Sequence, residues 1–268
     1  MPNIRSADGT ELFVKDWGDG PAIVFVSSAS TTNDIWQYQH AHFVDAGYRI
    51  IAFDRRGHGR SDQPGGGYDA DTLADDLARV IEARRVGDAT LIGHSMGCLE
   101  IVRYLARHGS SRVARIVLVG ATTPFLLKTA DNPDGVPAEA FEMLRSGWQR
   151  DFPKWVADNV RPFFVPETTQ AMIDWAVLNI SQVSVRVALE CNKTVVETDT
   201  RADCRAISVP TLVVHGGADA SAPIDLTARK TASLIEGSQL QVYEDAPHGL
   251  MFTHMARLHQ DIERFIAN

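Results

Sequence analysis

The sequence predicts an α/β protein: a mostly parallel sheet flanked by helices, with a helical cap insertion late in the chain. Three observations predict it. Short apolar runs such as Ala22-Ile23-Val24-Phe25-Val26 are continuous rather than alternating, as in strands buried on both faces. These runs alternate with segments of helical periodicity, which is the pattern of parallel strands joined by crossover helices. That alternation then stops between residues 121 and 209, where no run reads as a strand and helix formers dominate.

In order, residues 11–17 alternate apolar and polar and read as an early antiparallel strand, closed by Gly18-Asp19-Gly20-Pro21. Residues 22–26 form the first buried strand, and a serine-rich loop, Ser27-Ser28-Ala29-Ser30-Thr31-Thr32-Asn33, leads to a helix over 36–46. Residues 49–53 form the next buried strand, ending in a charged, glycine-containing loop over 54–62. Leu73, Leu77, Val80 and Ile81 recur at helical spacing over 71–85, with Asp71 or Thr72 as cap. A strand over 89–92 then meets Gly93-His94-Ser95-Met96-Gly97, and an amphipathic helix follows to His108. Strands over 113–119, 211–215 and 239–243 complete the set, with helices over 224–235 and 254–266. The division is therefore a core of residues 1–120 and 210–268 with a cap over 121–209. That insertion is far longer than the roughly 10–15 residues that a crossover needs.

Composition narrows the function. Hydrophobic residues make up 44% and charged residues 22%, ordinary for a globular protein able to bury a large core. A formal net charge of −8 with no basic block argues against nucleic acid as partner. No apolar run approaches membrane-spanning length, and residues 1–8 hold no signal-peptide core. The three cysteines, Cys98, Cys191 and Cys204, have no metal-like spacing, and the expected setting is reducing and cytoplasmic. No metal and no cofactor are called for; a homo-oligomer is compatible with the sequence.

Gly-x-Ser-x-Gly between a strand and a helix carries the chemistry. The two glycines allow a tight turn, and Ser95 stands at its apex beside a helix N-terminus. The bland alternative is a capping serine. In open α/β sheets ligands bind at the C-terminal ends of strands, where Asp219 and His248 also fall, Asp219 a few residues after a buried strand and His248 in a short loop after the last strand. A serine is a weak nucleophile until a base takes its proton; histidine titrates near neutrality, and a buried carboxylate fixes its tautomer. Of nine histidines, His40, His42, His108, His254 and His259 lie on or beside expected helices, and His215 closes a strand as a packed residue. His94 adjoins the nucleophile and is expected to shape the pocket, while Cys98 reads as a small buried side chain.

The order Ser, Asp, His and a set of motifs spread over nearly the whole chain resemble the α/β-hydrolase fold family, in its cofactor-free chloroperoxidase or aryl esterase branch. The motifs are Trp36-Gln37-Tyr38-Gln39, Phe53-Asp54-Arg55-Arg56-Gly57-His58-Gly59-Arg60-Ser61, Gly93-His94-Ser95-Met96-Gly97, Arg103-Tyr104-Leu105-Ala106-Arg107-His108-Gly109, Asp131-Asn132-Pro133-Asp134-Gly135-Val136-Pro137, Glu197-Thr198-Asp199 and Ala246-Pro247-His248-Gly249. The resemblance implies an eight-stranded, mostly parallel sheet, Ser95 as nucleophile, Asp219 as orienting acid and His248 as base. It also implies an oxyanion hole made of the backbone amides of Ala29 and Met96. The implied activity is hydrolysis of a small-molecule carboxylic ester or lactone through an acyl-enzyme, with Ser28, His94, Phe125, Trp148 and Trp175 expected around the substrate.

Two departures refine this. The branch usually carries His-Gly and an aromatic residue where this chain has Ser27-Ser28-Ala29-Ser30. A serine tolerates a left-handed conformation less readily than the missing glycine, and the missing aromatic ring should widen the acyl side. The same stretch resembles the serine-rich loop of enol-lactone hydrolases. Gly217 stands where relatives often have Asp, leaving Asp219 as the one carboxylate of its loop. The alternatives are perhydrolysis on the same triad, C–C or amide hydrolysis, and a non-catalytic binding protein; dehalogenation is disfavoured, since it needs Asp at the turn.

Overall fold

The structure is a computed structural model that describes residues 3–267; Met1 and Pro2, the start of the stretch read for a leader, and Asn268, at the end of the expected core, lie outside the described residues. Its strands are β1 (Ile4–Arg5), β2 (Glu11–Leu12), β3 (Val14–Trp17), β4 (Ala22–Val26), β5 (Arg49–Phe53), β6 (Ala89–His94), β7 (Val113–Val119), β8 (Thr211–Gly216) and β9 (Gln239–Tyr243). The main sheet runs β3-β5-β4-β6-β7-β8-β9, with β3 antiparallel to β5 and every other pairing parallel.

That sheet has seven strands, not eight, because the expected strand over 11–17 breaks at Phe13. The Phe13 amide donates to Ser61 Oγ at 2.9 Å, and its carbonyl accepts from the Asp54 amide at 3.0 Å. The chain on either side is thereby divided: β2 pairs with β1 in a separate two-stranded sheet, and β3 joins β5.

Alternate residues of each buried strand feed opposite faces, as the period of two requires. Val24 and Val26 of β4 join one apolar cluster, whereas Ile23 and Phe25 join the other. The first cluster is closed by α2 (Ala70–Ala83) and α3 (Met96–His108), through Leu77, Val80, Ile81, Ile101 and Val102. The second is closed by α1 (Gln37–Asp45) and, late in the chain, by the helix Met255–Ala267, whose Leu258, Ile262 and Phe265 face inward. Helix α2 begins one residue before the expected start: Asp69, not Asp71 or Thr72, is its cap, accepting from the Thr72 amide at 3.0 Å.

Between β7 and β8 lie α4 (Ala138–Asn159), α5 (Gln170–Ser181), α6 (Val185–Glu197) and the short α7 (Arg201–Arg205). Helix α4 bends at Asp151 (φ −161°, ψ 86°); the Asp151 carboxylate caps the second half through the Lys154 amide, and Pro153 sits in that half's first turn. Trp148 and Phe152 of α4 pack with Val187, Ala188 and Cys191 of α6, a cluster distinct from the two sheet faces. Cys204 and Ile207 by contrast join the first sheet cluster, so α7 lies against the sheet side of the molecule. After β8 come α8 (Ala228–Leu234), β9, α9 (Leu250–Thr253) and α10 (Met255–Ala267).

Candidate active site

Ser95 joins β6 to α3 with φ 56° and ψ −115°, a conformation that costs a non-glycine residue about 1–3 kcal/mol. Close packing enforces it. A Cβ on Gly93 would lie 2.7 Å from the Gly97 carbonyl, and one on Gly97 would lie 2.8 Å from the Val26 carbonyl carbon and 2.9 Å from the Ser27 oxygen. The helix start is thus pressed against β4 and the loop that follows it. The Ser95 side chain makes no capping hydrogen bond to α3, which removes the capping explanation for this residue.

Asp219 and His248 follow β8 and β9, neighbours in the sheet, and meet above its C-terminal edge. His248 Nδ1 lies 2.6 Å from Asp219 Oδ2. The other carboxylate oxygen accepts the amides of Ser221 (2.9 Å) and Ala222 (2.7 Å). Burial of Asp219 would raise its pKa, but the His248 charge and hydrogen bond, His215 and the Ala222 amide outweigh it and hold the carboxyl below its ordinary value. An ionised Asp219 accepts a hydrogen bond from His248 Nδ1–H, which keeps the ring proton on Nδ1 and leaves Nε2 as the basic nitrogen. Ser95 and His248 line the same cavity, without a hydrogen bond between them among the described residues.

His94 lies wholly buried beneath this pair. Its Nε2 donates to the His248 carbonyl at 2.9 Å, so its Nδ1 accepts from the Ser28 hydroxyl at 3.0 Å. Burial and the nearby His248 keep its pKa well below the usual histidine range. A neutral, tautomer-fixed ring therefore ties the loop carrying His248 to the serine-rich loop. In that loop the left-handed residue is Ser30 (φ 58°), not Ser28, so the absent glycine is not missed where the sequence suggested. The loop is held by buried polar groups: Arg55 donates to the carbonyls of Ser27 (2.6 Å) and Ser28 (2.9 Å), and Asn179 of α5 exchanges hydrogen bonds with Thr32. Among the described residues, neither the Ala29 nor the Met96 amide is taken by another backbone carbonyl.

The cavity has a volume of about 510 Å³ and reaches from Ser95, Ala29 and His248 into the cap. Trp148, Phe152, Trp155 and Ile180 supply most of its apolar wall. Of the five residues expected around the substrate, the structure brings Trp148 to it. Ser28 and Trp175 instead line a narrow apolar slot behind the serine-rich loop, where Trp175 stands 5.8 Å from Phe252. His94 is beneath the site, and Phe125 lies under the Arg201 guanidinium, 5.2 Å from its ring. Sequence reasoning missed Phe152, Trp155 and Asn192 of the wall because nothing local marks which face of a cap helix turns inward. Arg55 did carry a signal: a cation in a glycine-containing loop at a strand's C-terminal end.

Among the described residues, no group of three His, Cys, Asp or Glu side chains gathers where a metal ion could be held, and no helix is long and apolar enough to cross a membrane. The chain is 40% identical over 255 residues to the non-heme chloroperoxidase CPO-A1 of Kitasatospora aureofaciens, covering 93% of each chain. It is 34% identical over 274 residues to the bifunctional esterase/perhydrolase DCH of Acinetobacter calcoaceticus, covering 99% of each. Among solved structures, an esterase from Exiguobacterium antarcticum is similar with a TM-score of 0.96 and 28% identity, over 100% of this chain and 99% of that one. Residues 21–173 match the alpha/beta hydrolase fold family, and with these relatives alongside a strand–Ser95–helix turn above a parallel sheet, the chain belongs to that family.

Proposed function

We propose that this hydrolytic enzyme cleaves a small-molecule carboxylic ester through an acyl-enzyme. The observation that carries the reading is the convergence on one apolar cavity of a strained serine and a buried histidine paired with a carboxylate at 2.6 Å. In the proposed reaction Ser95 Oγ bonds to the ester carbonyl carbon while His248 Nε2 takes the hydroxyl proton. Asp219 holds the ring and stabilises the imidazolium that forms. The carbonyl oxygen becomes an oxyanion facing the amides of Ala29 and Met96; one such donor is typically worth about 3–4 kcal/mol of barrier. As the bond to the alcohol oxygen breaks, His248 returns the proton to it, and a water activated by the same nitrogen then releases the acid.

The cap wall of Trp148, Phe152, Trp155 and Ile180 supports an apolar acyl group, and the small side chain of Ala29 supports a wide acyl side. A lactone is the cyclic form of the same substrate class, and the serine-rich loop favours testing it. Perhydrolysis, with peroxide in place of water, stands as a second reading because a relative covering 99% of the chain is a bifunctional esterase/perhydrolase. The test is a panel of aryl esters and lactones of matched acyl size, with peracid formation measured beside hydrolysis. Hydrolysis abolished by Ser95→Ala supports the reading. Turnover unchanged in Ser95→Ala, or none by the wild type on either class, overturns it.

A further inference from the structure

Arg55 and Glu100 join the two halves of the proposed oxyanion hole from behind. Arg55 follows β5 and is 2% exposed; Glu100 is fully buried on α3, one helical turn beyond Met96. The guanidinium Nε donates to Glu100 Oε1 at 2.6 Å, and its two terminal nitrogens donate to the Ser27 and Ser28 carbonyls at 2.6 and 2.9 Å. The Ser28 carbonyl and the Ala29 amide belong to one peptide unit. In a planar trans peptide the C=O and N–H point in opposite directions, so fixing one fixes the other. Drawing the Ser28 oxygen inward to Arg55 turns the Ala29 N–H outward, on the side where Ala29 lines the cavity. The cation at the oxygen end of the peptide also polarises it, which strengthens the N–H as a donor.

We infer that Arg55, braced by Glu100, is a positioning residue that aims the Ala29 amide at the oxyanion and sets its distance from the Met96 amide. The serine-rich loop can thus keep the required path without the family's usual glycine, because three buried donors hold its carbonyls from the core side: two from Arg55 and one from Thr31, whose hydroxyl donates to the Ser28 carbonyl at 3.1 Å. Burial pushes the Glu100 carboxyl up to about 7 against the pull of Arg55, so Glu100 takes a proton readily when its partner is removed. Replacing both partners together leaves no unpaired charge in the core.

The inference rests on Ala29 and Met96 being the oxyanion donors, and its test begins from a wild type that hydrolyses an aryl ester and loses this in Ser95→Ala. Against that reference, the double variant Arg55→Met/Glu100→Leu exchanges the ion pair for apolar side chains, and Arg55→Lys keeps the charge but not the fork. Two quantities are compared: kcat and KM on the aryl ester, and the inhibition constant of an aryl trifluoromethyl ketone, whose serine adduct carries an oxyanion. For the double variant the expected result is a fall in kcat of about 10–100-fold with KM within threefold, a matching weakening of the ketone, and a folded protein by thermal unfolding. Arg55→Lys should fall between the two. If the double variant does not fold, the lysine variant decides alone. A kcat within threefold of wild type in the folded variants, or a loss of kcat with unchanged ketone affinity, overturns the inference while leaving the hydrolase reading in place.

Discussion

Asp219→Asn changes one atom of the carboxylate, and the structure dictates which way the new amide must face. Asp219 Oδ1 accepts two backbone N–H groups, from Ser221 at 2.9 Å and Ala222 at 2.7 Å. Two donors face an oxygen, so the asparagine carbonyl takes that position and its NH2 group turns to His248 Nδ1, at the 2.6 Å contact. The ring must then offer a lone pair at Nδ1 and carry its proton on Nε2, where it cannot accept the proton of Ser95. The charge that stabilises the imidazolium is lost as well. The same substitution in the serine-protease triad lowers kcat about 10⁴-fold, or about 5.5 kcal/mol, and a loss of that order is expected here. Asp219→Ala supplies the contrast: it imposes no wrong tautomer but leaves the Ser221 and Ala222 amides without their acceptor, at a cost of about 1–3 kcal/mol in stability. The assay is kcat/KM on an aryl ester from pH 6 to 10, with urea unfolding of both variants. An asparagine variant within tenfold of wild type at pH 7 would refute the tautomer argument.

Other perturbations test the remaining parts. Gly97→Ala puts a methyl group 2.8–2.9 Å from the Val26 and Ser27 backbone, so α3 and the serine-rich loop must separate; a stability loss of about 1–3 kcal/mol and at least a tenfold fall in kcat/KM are expected, and unaltered kinetics would contradict the close approach. Trp148→Leu enlarges the apolar wall where Trp148 packs 5.4 Å from Phe152 and 5.2 Å from Trp155, and should raise kcat/KM for octanoyl over acetyl esters; an unchanged ratio would place the acyl group elsewhere. His40 is buried against Phe25 and Trp17, both ring nitrogens without a hydrogen-bond partner among the described residues, and burial together with Lys15 lowers its pKa to about 3, with Asp34 opposing. A folded pKa below the unfolded value of about 6.5 means stability is full above that value and lost as pH falls through 6.5 toward 3, by about 2 kcal/mol between pH 7 and 5. His40→Leu should remove that share of the acid sensitivity, read by urea unfolding at the two pH values; an identical pH dependence would show that His40 is not the proton acceptor.

What the sequence made legible follows the range of the interactions involved. Strands β4, β5 and β7 fall where their apolar runs end, because a strand buried on both faces writes its limits into its own residues, and the edge strand β9 falls where Leu240 and Val242 alternate with glutamines. The same holds for the candidate residues at strand ends: Ser95, Asp219 and His248 each sit in a short loop beside a strand that periodicity could find. The strand break at Phe13 was not legible, since its cause is a hydrogen bond to Ser61, 48 residues away. The wall of the cavity was legible only at Trp148, for a related reason. Cap helices pack on one another and on the sheet edge at once, so helical spacing gives each an apolar stripe without saying which neighbour it meets. Trp175 shows this: it is as apolar as Trp148 but turns to Phe252.

The serine-rich loop carries the point furthest. Read locally, replacing a glycine by Ser28 endangers the path that an oxyanion donor needs, and the local reading has the steric principle right. It fails because the left-handed turn is taken at Ser30 and because the loop's direction is not set by its own residues alone. Three of its contacts come from distant parts of the chain: Arg55 after β5, His94 at the end of β6 and Asn179 in the cap. Each joins the loop to a different part of the site, namely α3 through Glu100, the His248 carbonyl through His94, and the cavity wall through α5. A loop held in this way can change its own side chains while its amides keep their aim. Specificity can therefore vary at positions 27–30 while the hydrolytic chemistry above the sheet stays the same.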